Sequence, residues 1–169
     1  MITKLHQLIQ EASTRLGEGW VVIFVNQNMP RPAKPYISIN VLTVNVPDHV
    51  IYSDLSPAAD SFEQTISAWR VADVELQIYN GINSLDTVNT LALVLQSRSM
   101  IEFQQTIDVA VGERLFIGYV PELLGLSQYE GRGIYQFRFL YTEEYTEQIY
   151  NIETVVLSGD CNETITTNP

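Results

Sequence analysis

Proton transfer needs a positioned acid or base, and histidine, the side chain that titrates nearest neutrality, occurs only as His6 and His49. The two fall on different predicted elements, with no metal-ligand or nucleophile spacing around either. His6 reads as a partly exposed helix residue and His49 as a strand-edge residue. Gly125-Leu126-Ser127-Gln128-Tyr129 approaches the tight turn that presents a hydrolase serine, but Tyr129 stands where the second glycine is needed. Gly131-Arg132-Gly133-Ile134-Tyr135-Gln136 opens like a dinucleotide loop, yet it lacks the last glycine and leads into a strand, so a turn is expected. Glu143, Glu144 and Glu147 have the oxygen chemistry for a hard cation or a hydrolytic carboxylate pair. A solvated hairpin tip explains them without a ligand. Cys161 is the sole cysteine, which excludes an intrachain disulfide and a thiolate zinc site. No catalytic residue, metal ligand or cofactor site is expected.

The elements that carry these residues follow from periodicity. Leu5, Leu8, Ile9, Ala12 and Leu16 recur at helical spacing over Thr3 to Leu16, with Gly17 and Gly19 placed to stop the helix. Trp20 to Val25 and Tyr36 to Val44 read as strands around a proline-rich loop, the second turning Ile37, Ile39 and Val41 inward. His49 to Tyr52 is a further short strand, and Ser53 to Ser61 a surface loop. Arg70 to Tyr79 alternates Ala72, Val74, Leu76 and Ile78 against Asp73, Glu75 and Gln77, the pattern of a half-buried strand. After Gly81, Asn83 is placed to cap a helix with the stripe Leu85, Val88, Leu91, Ala92 and Leu95, and Asp86 sits near its positive end. Ser99 and Glu102 resemble a capping box for a second helix through Ile101, Phe103 and Ile107.

Leu115 to Val120 reads as a strand, Pro121 to Arg132 as a loop, and Ile134 to Tyr141 as a strand with Tyr135, Phe137, Phe139 and Tyr141 on one face. Base stacking on such a face needs a basic groove, so core or subunit packing is the better expectation. Thr142 to Glu147 is expected at an exposed hairpin tip, with Ile149 to Leu157 pairing back. The fold class is therefore α/β or α+β: a single mostly antiparallel or mixed sheet flanked by helices, with a long projecting β-hairpin. One domain over residues 1–158 and a flexible tail over 159–169 are expected.

With 46% hydrophobic and 17% charged residues, the 169-residue chain has a globular composition. Nine Lys and Arg against twenty Asp and Glu give a net charge of −11, which opposes tracking along phosphates or binding to anionic membranes. The N-terminus lacks a basic stretch followed by a long apolar run, and no segment approaches membrane-spanning length, so a soluble, unprocessed chain is expected.

Three features together resemble the phage neck or tail terminator family: Val25-Asn26-Gln27-Asn28-Met29-Pro30-Arg31-Pro32, the following Pro35-Tyr36, and the Arg70 to Gly81 strand leading into a helix. The order of elements agrees, and the likeness runs from Trp20 to about Leu157. It implies a structural virion protein of the tail or neck, present in the host cytoplasm during assembly. It further implies a homo-oligomeric ring, of six subunits in that family, that caps the tail tube and meets the head-tail connector, with a sheath as neighbour in a contractile tail. The negative charge of many copies would let DNA pass the lumen without specific binding. Asn28, Pro30, Arg31 and Pro32 in the proline-rich loop, and Glu143, Glu144, Tyr145 and Glu147 near the expected hairpin tip, are the candidate interface residues. Another structural tail component, a tube or connector adaptor subunit, is the alternative reading, and a metal-dependent hydrolase using the Glu143 group is a more distant one.

Overall fold

The computed structural model describes residues 1–25, 30–45, 50–58, 61–124 and 128–150. In chain order these form α1 (Ile2–Thr14), β1 (Val21–Phe24), β2 (Tyr36–Asn45), β3 (Val50–Tyr52), β4 (Ser56–Ala58), β5 (Ser61–Tyr79), a single turn of 3-10 helix (Gly81–Asn83), α2 (Ser84–Leu95), α3 (Arg98–Thr106), β6 (Val109–Leu124) and β7 (Gln128–Tyr150). Seven strands make one open, mixed sheet with the order β1-β2-β5-β7-β6, while β3 and β4 pair with β5. β1 runs parallel to β2, while β2, β3 and β4 each run antiparallel to β5, and β6 runs antiparallel to β7. The α+β architecture expected from the sequence is the one present.

The chain divides into two compact units, the first of Met1–His49 and Trp69–Glu143, the second of Val50–Ala68 and Glu144–Pro169. In the first, Ala72, Val74, Leu76 and Ile78 of β5 and Tyr135, Phe137 and Phe139 of β7 are fully buried, as their alternation requires. They pack with Leu5, Leu8, Ile9 and Ala12 of α1 and Val88, Leu91, Ala92 and Leu95 of α2 in one core. Each large side chain removed from water there contributes about 1.5–3 kcal/mol. Gly17 and Gly19 end the α1 segment at φ +126° and +86°, backbone positions that a side chain would strain.

Helix packing accounts for two departures from expectation. Leu85 is exposed, so the α2 stripe starts at Ser84 and Val88. In α3 the N-cap position is Ser97, Ser99 lies inside the first turn, and the buried residues are Met100 and Gln104, with Ile101 exposed. Ser99 is engaged elsewhere, accepting a hydrogen bond from the Arg15 guanidinium of α1. Asn83 does occupy the α2 N-cap position, but its side chain makes no capping bond. There the Ser84 hydroxyl, facing the carbonyls of Gly81 (3.0 Å) and Gly131 (2.9 Å), ties the helix start to β7.

The strands are longer than their apolar runs suggest. The expected loop Ser53 to Ser61 contains β4 and the first residue of β5, and β5 begins nine residues before Arg70. The expected loop Pro121 to Arg132 is largely strand: β6 and β7 pair antiparallel from Val109–Tyr141 to Leu124–Gln128, with the register shifting between Val111 and Phe116. Thr142 to Glu147 is therefore interior to β7 and not a hairpin tip. Pairing with a neighbour satisfies the backbone of polar segments as fully as that of apolar ones, so strands persist where hydrophobic alternation fades. Asn28, His49, the Gly125 to Ser127 segment, the 151–157 portion of the expected return strand, Cys161 and the 159–169 tail lie outside the described residues.

Candidate functional site

The helices of the first unit cover one face of its sheet, and the opposite face carries the odd-numbered β5 residues Asp73, Glu75, Gln77 and Tyr79 with Arg132, Gln136 and Arg138 of β7. A line of side chains crosses four strands there. Thr43 of β2 donates to Asp73 Oδ2 at 3.0 Å, the other Asp73 oxygen lies 3.6 Å from Arg138 Nε, and Arg138 donates to Glu113 of β6 at 2.9 Å. A parallel line joins Gln136 Nε2 to Glu75 (2.7 Å), Gln77 Nε2 to Glu75 (2.6 Å), and Tyr79 O–H to Gln77 (2.9 Å). Arg132 reaches the same Gln77 oxygen at 3.4 Å. These contacts pin neighbouring strands at a fixed stagger.

The proline-rich loop meets this face at Tyr36 and Tyr79, whose rings stack at 4.4 Å. The Arg31 guanidinium stands 5.0 Å from the Tyr79 centroid and 5.9 Å from that of Tyr36, within cation–π range. Pro30 and Arg31 are exposed and Pro32 half-buried, so part of the loop is anchored while its outer edge stays accessible.

The acidic candidates do not form one cluster. Glu143 belongs to the first unit and pairs with Arg70 at 2.9 Å, whereas Glu144, Tyr145 and Glu147 belong to the second. Strand alternation sends Glu144 to the face opposite Tyr145 and Glu147. Among the described residues, no three His, Cys, Asp or Glu side chains gather closely enough to hold a metal ion.

Beside the Arg70–Glu143 pair, Trp69, Val71, Ala110, Leu140 and Tyr141 help line a cleft of about 320 Å³. Burial raises the Tyr141 hydroxyl pKa and Glu143 adds to that rise, while Arg70 opposes it. Tyr135 is raised by burial, with Arg114 opposing. Neither phenol is poised to ionise near neutrality.

Sequence reasoning missed Trp69 and the Thr43–Asp73–Arg138–Glu113 line. The alternation of Asp73, Glu75 and Gln77 signalled a polar face, but nothing in one sequence shows which strands adjoin it.

This arrangement is an open, cross-braced sheet with aromatic and charged surfaces, suited to holding other proteins. The family model described as phage neck terminator protein matches residues 1–164. The chain belongs to the phage neck terminator family. No curated protein matches it. As a neck terminator it is a structural component of the virion that works among other virion proteins. No described helix of this neck terminator is long and apolar enough to cross a membrane.

Proposed function

We propose that the protein assembles into a closed ring, of six copies as the family resemblance implies, that caps the tail tube and joins it to the head connector. Family membership over residues 1–164 carries this reading. The open sheet supports it, because among the described residues β6 ends the strand order, with one side unpaired there. A contact between two different patches, repeated by rotation, closes into a ring when the angle permits. The role is architectural, without turnover or cofactor, in a single functional domain. The Pro30, Arg31 and Pro32 edge, with Asn28 beside it in sequence, and the Glu143, Glu144, Tyr145 and Glu147 stretch are proposed to meet neighbouring subunits or rings. The net charge of −11 per copy gives a lumen that DNA crosses without adhering.

Mass photometry of the purified chain followed by negative-stain imaging tests this. A closed species near six times the chain mass is expected. Open filaments growing with concentration would instead identify a tube subunit.

A further inference from the structure

The second unit is amphipathic by itself. Register pairs Val50 with Ala68 and Tyr52 with Ile66, so these residues share one face with Phe62 and Gln64, while Ser61, Glu63, Thr65 and Ser67, with Ile51 opposite Ser67, share the other and more polar one. Thr65 Oγ1 meets Thr146 Oγ1 at 3.1 Å, which sets Thr146, Glu144, Gln148 and Tyr150 on the polar face and Tyr145, Glu147 and Ile149 on the apolar one. An apolar sheet face is ordinarily covered by a second layer. Here Tyr145 is 65% exposed, Tyr52 61% and Val50 44%. Exposed tyrosines among aliphatic residues are typical of the energetic centre of a protein interface.

Charge is divided along the same boundary. Residues 50–68 and 144–169 hold eight carboxylates and no Lys, Arg or His, a charge of −8. The rest of the chain holds twelve carboxylates and nine bases, a charge of −3. Contact between two second units would bring together two acidic segments with no base on either, which opposes symmetric pairing. The first unit carries a complement. Leu93 of α2 is 71% exposed, and with Asn89, Ala92, Gln96 and Arg114 it lines a cleft of about 220 Å³. Arg98, two residues past Gln96, has a 94% exposed side chain that pairs with Glu102 at 3.1 Å, so Arg114 is the cation of this surface that the docking uses.

We propose that the Tyr52–Tyr145 face of one copy docks on the Leu93–Arg114 surface of the next, with Glu147 directed at Arg114. This rests on the ring reading and names the contact that closes the ring.

The test compares wild type with five full-length variants by mass photometry at low and high salt, with far-UV circular dichroism confirming that each is folded. Tyr52→Ser with Tyr145→Ser, Arg114→Glu alone, and Glu147→Arg alone should each weaken assembly at least tenfold, whereas Tyr150→Ser on the polar face should not. Combining Glu147→Arg with Arg114→Glu in one chain should restore the rings. Wild-type rings should weaken as salt is raised.

Rings that survive the tyrosine and Arg114 substitutions overturn the docking, leave this face to a different virion protein and leave the ring reading standing. A wild type that stays monomeric at every concentration overturns the ring reading and the docking with it. Disulfide-linked dimers of Tyr145→Cys in a Cys161→Ser background would show contact between two second units and overturn the head-to-tail arrangement.

Discussion

Tyr135 is fully buried, and its hydroxyl has no hydrogen-bond partner among the described residues. Leaving a hydroxyl unsatisfied costs about 1–3 kcal/mol, so Tyr135→Phe should leave stability unchanged or raise it by about 1 kcal/mol, read from the urea midpoint. The pH dependence has a defined sign. With the folded pKa raised by burial, Tyr135 contributes stability that is complete below the unfolded value of 10.0 and declines as pH rises above it. Tyr135→Phe should therefore flatten the alkaline limb of the stability profile and leave the region below pH 9 in its original shape. A steeper limb in the variant would contradict this. At this scale the sequence was legible where alternation fixes direction, as for Tyr135, Phe137, Phe139 and Tyr141. It was not legible for Gln104, a polar residue that helical packing carries into the interior.

Between elements, Gln104 shows what such a residue does. Its amide donates to the Leu95 carbonyl at the end of α2 and accepts from the Val111 N–H of β6, both at 2.9 Å. Gln104→Ala would strand one carbonyl and one N–H, costing about 2–4 kcal/mol, and Gln104→Leu should fall in the same range despite filling the space. Gly133 governs how closely α2 lies on β7, since a Cβ there would collide with Val88 and stand 2.6 Å from the Ser84 carbonyl oxygen. Gly133→Ala should cost about 1–3 kcal/mol in a denaturant melt. α1, α2 and the Arg70 to Tyr79 strand were legible because one face of each meets a core. The 61–69 half of β5 and the 142–150 half of β7 were not, because pairing holds them with little burial to mark them in the sequence.

For the molecule as a whole, burial and charge are unevenly shared. Among described residues of the second unit only Ala68 is buried, so amide exchange should be slower across residues 72–78 than across 50–58 in the unassembled chain. Assembly should narrow that difference if the second unit gains a neighbour. Calcium, magnesium or manganese should each leave the melting temperature unchanged, since the carboxylates at 143, 144 and 147 are divided between two strand faces and one is held by Arg70. A rise of several degrees would point to a bound ion. Family membership was legible from short segments resembling that family, with the proline-rich loop and the central strand as carriers. The unequal division of charge was present in the sequence but acquired meaning only when strand pairing showed which distant segments belong together.

The line Thr43–Asp73–Arg138–Glu113 links positions far apart in the chain through partners that cannot change independently. In natural relatives these sites should vary as a set. Loss of the acid at 73 should accompany loss of the base at 138, and a neutral residue at 138 should release 113 to drift, so the neighbour order of β2, β5, β7 and β6 would be recoverable from coordinated substitutions alone.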